Sequence, residues 1–132
     1  MKLFVEEPGS AAVRRIWSAS AHAACSRLLY PEARAALAAA AQAGRVGEVE
    51  LRRARDLLEE LWRATDRLGI GTALARRAGD LAEQHALRGY DAVHLASFET
   101  IAGDGTLLVT FDEDLRRAAR AVGFTVAPAA GW

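Results

Sequence analysis

The stretch Thr-Leu-Leu-Val-Thr-Phe-Asp, residues 106–112, contains the feature that decides the fold class. Its apolar residues 107–109 form a short continuous run between two threonines. Such a run is typical of a strand buried on both faces of a parallel sheet. A helix is expected to follow at about 113–121, and then a last strand at 124–126. Strands that alternate with helices in this way predict an α/β fold, with a parallel sheet covered by helices on both faces.

Earlier segments continue the alternation. Strand candidates lie at about 21–25 and 68–72, and helices are predicted at about 11–19 after Ser10, at 48–67, from Leu74 to a stop near Arg88-Gly89, and at 91–102. One further helix has two possible starts. Either Ser26 caps it and Pro31 kinks it at its fifth position, or it begins with Pro31 at its first position, which we favour.

Composition limits the class of protein. The 132 residues are expected to form one domain, 1–132. The sequence contains no run of 18 apolar residues that could span a membrane. Seventeen basic and seventeen acidic residues argue against a large basic surface for nucleic acid, although a local basic rim remains compatible with this balance. Cys25 is the single cysteine, so the chain forms no internal disulfide and a reducing cytoplasm is expected.

Three carboxylates lie at predicted element boundaries. Asp91 and Asp112 each precede or open a helix, and Glu32 lies in a first helical turn. Taken singly, each aspartate is an ordinary helix N-cap and Glu32 complements the helix dipole. If the three converge, their mutual repulsion favours a hard divalent cation such as Mg²⁺ or Mn²⁺.

The surrounding residues resemble the VapC-type PIN domains. Residues 88–96, Arg-Gly-Tyr-Asp-Ala-Val-His-Leu-Ala, look like the central motif of that family. Residues 108–112, followed by Leu115, Ala118-Ala119 and Gly123, are similar to its C-terminal motif, and residues 26–37 resemble its glutamate helix. The order and spacing agree across nearly the whole chain.

The resemblance implies a PIN-like three-layer α/β/α fold and a Mg²⁺- or Mn²⁺-dependent endoribonuclease, the toxin of a toxin–antitoxin pair. Glu32, Asp91 and Asp112 would be its metal ligands or close outer-sphere carboxylates, and Thr110 would support them from the strand end. Asp114 is a weaker ligand candidate, and His94 is expected to pack on its helix. The implied partners are RNA, a cognate VapB-type antitoxin and a second copy of the chain. Candidates for a basic RNA rim are Arg14, Arg15, Arg45 and Arg88.

One expectation concerns the start of the chain. In the family, a first buried strand ends in a catalytic aspartate, and Met1–Ser10 looks like the stretch that follows it. We therefore expect that the first strand and its aspartate are missing and that the start codon is miscalled. We also expect the chain as given to have little or no metal-dependent ribonuclease activity and to be prone to associate through exposed sheet edges.

Two other functions remain open from the sequence. The chain could be a catalytically inactive PIN-like module that binds an antitoxin or RNA. It could also be a purely helical interaction protein, since alanine and leucine dominate the sequence.

Overall fold

The positions of the helices and strands follow from a computed structural model that describes residues 8–129. The chain consists of two compact units, and the boundary between them follows Arg67. The expectations about the start of the chain fall on residues 1–7, which lie outside the described range.

The first unit contains three helices and a pair of strands. Its elements are α1 (Ser10–Ala19), β1 (Ala24–Ser26), α2 (Leu29–Gln42), α3 (Glu48–Ala64) and β2 (Asp66–Leu68), whose last residue lies just past the unit boundary. Helices α2 and α3 pack through Leu37, Ala54 and Leu58. These residues are spaced so that each helix turns one apolar face to the other. Strand β1 pairs with β2, and the Asp66 amide donates to the Ala23 carbonyl at 2.9 Å.

The second unit carries the segment that decided the fold class. Its elements are α4 (Thr72–His85), α5 (Gly89–Ile101), β3 (Leu108–Val109), α6 (Glu113–Val122) and β4 (Val126–Ala127). Strands β3 and β4 pair in parallel, with Leu108 opposite Val126. The unit's core is formed by small and branched apolar residues from α4, α5, α6, β4 and the connection after α4, namely Ala78, Leu81, Leu87, Ala92, Leu95, Ala96, Leu115, Ala118, Ala119 and Val126.

The predicted α/β class with parallel strands is confirmed, and the purely helical alternative is wrong because four strands are present among residues 8–129. In that range the strands form two two-stranded sheets. None of the helices between residues 8 and 129 has the length and apolarity needed to cross a lipid bilayer.

Both predicted starts of the glutamate helix were wrong. Helix α2 begins at Leu29, between Ser26 and Pro31. Pro31 is its third residue, where a backbone N–H would have no partner within the helix, so the proline causes no kink. The Ser26 hydroxyl accepts a hydrogen bond from the Leu28 amide at 3.2 Å, so this serine acts in the turn before the helix.

The end of α4 and the start of α5 also differ from their predicted positions. Helix α4 ends at His85, earlier than the predicted stop at Gly89, because Ala86 adopts a left-handed conformation with φ of 54°. That early stop leaves Leu87 and Arg88 as a connection, and Arg88 becomes the N-cap residue of α5. The shift places Asp91 in the first turn of α5 rather than at its start.

Candidate active site

Asp91 and Asp112 are brought together in the second unit by one arginine. Arg88 donates from Nε to Asp91 Oδ2 at 2.7 Å and from Nη2 to Asp112 Oδ2 at 2.8 Å. Nε and Nη2 lie on the same edge of the planar guanidinium, so the two carboxylates converge on that edge. The structure thus makes neighbours of two acids that are far apart in sequence.

Asp91 is buried, and a buried carboxylate needs charged or polar partners. Its side chain is only 7% exposed, whereas that of Arg88 is 57% exposed. It lies in the first turn of α5, where the helix dipole favours an anion. The hydrogen bond to Asp91 raises the pKa of Arg88 above its ordinary value, and desolvation opposes this shift. This shift favours the cationic form of Arg88.

Asp112 combines two roles at the end of strand β3. It is the N-cap of α6, and its Oδ1 accepts from the Leu115 amide at 2.9 Å. Its own amide donates to the Thr110 hydroxyl at 3.2 Å. The ordinary N-cap interpretation is thus correct for Asp112, although its second oxygen faces Arg88. The same interpretation is wrong for Asp91, because the N-cap of α5 is Arg88.

A buried arginine fixes the backbone beside Asp112. Arg116 donates from Nη1 to the Thr110 carbonyl at 2.8 Å and from Nη2 to the Pro128 carbonyl at 2.7 Å. Its side chain is 7% exposed. The end of β3, the start of α6 and the segment after β4 are therefore tied to one guanidinium.

The remaining candidate residues of the second unit lie outside the Arg88 bridge between Asp91 and Asp112. Asp114 is exposed and pairs with Arg117 at 3.2 Å, in keeping with its lower ranking as a ligand. His94 is half-buried on α5. Tyr90 lies against the Arg88 guanidinium, with 4.7 Å between its ring centroid and Arg88 Cζ.

The other predicted site residues belong to the first unit. Glu32 is half-buried in the first turn of α2. Arg14 and Arg15 are exposed on α1, and Arg45 is exposed in the turn after α2. Their assigned roles remain predictions. Between residues 8 and 129, no three His, Cys, Asp or Glu side chains form a group that could hold a metal ion.

Two contributions to the site were not predicted. Arg88 was predicted for an RNA rim, but its bridge between the two aspartates was not. The role of Arg116 was not predicted either, although the sequence contains a signal for it. Leu115, Arg116 and Ala119 lie three, four and seven residues after Asp112, which puts this arginine on the buried face of α6.

Comparison with known proteins gives three matches that agree with one another. The family model described as "PIN domain" matches residues 1–121. The protein named Ribonuclease VapC45, from Mycobacterium tuberculosis (strain CDC 1551 / Oshkosh), is 43% identical over 129 residues, which cover 98% of this chain and 90% of the relative. Ribonuclease VapC49, from Mycobacterium tuberculosis (strain ATCC 25618 / H37Rv), gives the same identity and coverage.

Proposed function

This chain belongs to the PIN-domain family, and from that membership we propose that it is a divalent-metal-dependent endoribonuclease, the toxin of a toxin–antitoxin pair. The observation that carries the proposal is the convergence of Asp91 and Asp112 on one cationic group. Both relatives are named as ribonucleases, and nearly all of this chain aligns with them.

The paired carboxylates fit a hard divalent cation. Carboxylate oxygens are the ligands that Mg²⁺ and Mn²⁺ prefer, and Mg²⁺ is commonly held by one or two carboxylates together with water and substrate phosphate oxygens. The Arg88 guanidinium already stands in as a cation between the two acids. Asp91 and Asp112 would hold the metal ion, and the role of Glu32 as a further carboxylate remains a prediction. When bound, the ion would polarise the scissile phosphate and promote attack by water.

The chain's own residues prepare this site. Thr110 accepts from the Asp112 amide and so fixes the turn from β3 into α6. The Leu115 amide holds Asp112 Oδ1, which leaves Oδ2 directed at the cationic group. Arg116 immobilises the Thr110 carbonyl from the opposite end of the same turn. Preorganisation of this kind matters because an ion with strict octahedral geometry tolerates little displacement of its ligands.

The balanced net charge makes a local basic rim the appropriate RNA contact. We propose Arg14, Arg15, Arg45 and Arg88 for that rim, since phosphate contacts by arginine supply the sequence-independent part of RNA binding. All four side chains are exposed. The proposed partners are a cognate VapB-type antitoxin and a second copy of the chain, both on the strength of family membership.

Metal-dependent RNA cleavage by the purified protein tests the proposal. We expect any cleavage to require Mn²⁺ or Mg²⁺, to stop on adding a chelator and to recover when metal is restored. Asp91→Asn removes charge with little change in volume and should abolish cleavage. Asp104→Asn is the matched control, because Asp104 is exposed in a turn, and it should cleave normally.

Two results would contradict the proposal. Cleavage that persists in chelator would exclude the metal, and an active Asp91→Asn variant would exclude the assigned site. If the protein binds RNA and a divalent metal but never cleaves, the inactive PIN-like module becomes the better description.

A further inference from the structure

We propose that Arg88 is an internal counter-ion that competes with the divalent cation for Asp91 and Asp112, so that metal binding releases its guanidinium from both carboxylates. The inference rests on the proposed function, since the cation is part of that function. It adds a role for a residue of this chain in controlling metal affinity.

The competition follows from the oxygen atoms that are used. Asp112 has already committed Oδ1 to the Leu115 amide, so Oδ2 is the oxygen it presents to a cation. Arg88 binds that oxygen, and it binds Oδ2 of Asp91 from the same edge of its guanidinium. A divalent ion bound between the two acids would therefore meet a positive charge at both ligands. Two cations on the same oxygens repel each other strongly at these distances.

Two features of Arg88 favour its release from the carboxylates. Its side chain is 57% exposed, so a released guanidinium is readily solvated. Its Cζ lies 4.7 Å from the centroid of the Tyr90 ring, whereas its Nε and Nη2 bind the acids. The cation–π contact with Tyr90 does not use those hydrogen bonds, so it can remain when they break.

Arg116 shows the contrasting arrangement in the same unit. It is almost fully buried and donates to two main-chain carbonyls that have no metal-binding role in the proposal. Arg116 is therefore a fixed structural cation, whereas Arg88 combines exposure with ion pairs to the proposed ligands. This difference assigns the exchange to Arg88.

Calorimetric titration of the full chain with Mn²⁺ tests the inference. Arg88→Gln removes the charge, and we expect it to bind Mn²⁺ roughly fivefold to tenfold more tightly than the unsubstituted protein, as the loss of two partly exposed ion pairs would give. Arg77→Gln is the matched control. Arg77 donates from the same two nitrogens to both oxygens of Glu99, at 2.7 Å each, and its loss should leave Mn²⁺ affinity unchanged.

A second measurement needs no substitution. The Arg88 Nε–H resonance, assigned by its absence from Arg88→Gln, should shift as diamagnetic Mg²⁺ is added and the contact with Asp91 breaks. The Arg77 resonance should stay in place.

The outcomes separate this inference from the proposed function. If the unsubstituted protein binds Mn²⁺ and Arg88→Gln binds it equally or more weakly, the competition is refuted while metal dependence stands. An Arg88 resonance that ignores Mg²⁺ in a protein that binds the ion refutes it in the same way. If none of the three proteins binds Mn²⁺, the proposed metal-dependent function fails, and the inference fails with it.

Discussion

Arg116 donates to the main-chain carbonyl of Thr110 at 2.8 Å, across the turn that separates strand β3 from helix α6. The same guanidinium reaches the Pro128 carbonyl beyond β4. The buried guanidinium is satisfied by these two carbonyls, which accept its hydrogen bonds. The position of Asp112, which opens α6, therefore depends on a residue that does not contact its carboxylate.

Arg116→Leu should destabilise the protein by about 2–4 kcal/mol, because it removes one buried and one part-buried hydrogen bond to main-chain carbonyls while roughly retaining side-chain volume. Urea denaturation of the variant measures the loss. Arg120→Leu, at an exposed position on the same helix, should change stability by no more than about 0.5 kcal/mol. Equal effects at the two positions would mean that Arg116 does not anchor the turn.

Substitutions at Asp112 should separate its capping role from its proposed metal role. Asp112→Asn keeps a side-chain acceptor for the Leu115 amide, so stability should change little while Mn²⁺ affinity falls at least roughly tenfold. Asp112→Ala should lose the metal equally and, in addition, about 1 kcal/mol of stability through the missing cap. Calorimetry and urea denaturation on both variants give the comparison, and full Mn²⁺ affinity in Asp112→Asn would reduce Asp112 to a cap.

These residues show how far the sequence could predict the structure. The apolar run 107–109 identified strand β3, and the helical spacing identified every helix, because both are local sequence patterns. The predicted burial of the run on both faces was wrong, since Leu107 and Val109 are exposed and Leu108 is half-buried. The start of α2 was mispredicted because Ser26 and Pro31 each give a plausible local signal, and the chain satisfies both around a start at Leu29.

The site was predictable only in part. The acids stand out because they sit at helix starts, which is a local feature of the sequence. The partners of Arg88 are three and 24 residues away, and no local pattern indicates which acid an exposed arginine will bind. The roles proposed for Glu32 and for the first unit's arginines remain predictions.

The Cys25 thiol should react slowly while the protein is folded. Burial raises its pKa above the ordinary value of 9.0, and the charge of Arg67 opposes this only partly. At pH 8 the folded protein therefore holds less thiolate, which is the reactive form, than free cysteine does. Alkylation by iodoacetamide should be slower than that of free cysteine and should reach the ordinary rate in urea.

The same shift in pKa has a consequence for stability. Because the pKa of Cys25 is raised in the folded state, the protonated thiol adds to the free energy of unfolding. This added stability is fully present below the ordinary pKa of 9.0 and is lost as pH rises through the raised pKa of the folded state. Between pH 8 and pH 10 the urea midpoint of the unsubstituted protein should fall more steeply than that of Cys25→Ser. Parallel curves would contradict the assigned direction of the shift.

An arginine of the proposed rim should change the salt dependence of RNA binding. Arg45→Gln removes one phosphate contact, which should lower the slope of log affinity against log salt by about 0.7 for single-stranded RNA. Arg53→Gln, at an exposed position on α3, is the control and should leave the slope unchanged. Binding is measured in chelator so that the RNA stays intact, and identical slopes for both variants would remove Arg45 from the rim.

Glu32 is tested against a second glutamate that also lies in the first turn of a helix. Glu32 lies in the first turn of α2 and Glu48 in the first turn of α3, so both favour the positive end of a helix dipole. Glu32→Gln and Glu48→Gln should therefore each cost roughly 0.3–1 kcal/mol of stability at low salt. If Glu32 is a ligand of the proposed metal site, only Glu32→Gln should also weaken Mn²⁺ binding in calorimetry. An unchanged Mn²⁺ affinity in Glu32→Gln would leave that glutamate a dipole-stabilising residue, and the site would then rest on Asp91 and Asp112 within the second unit.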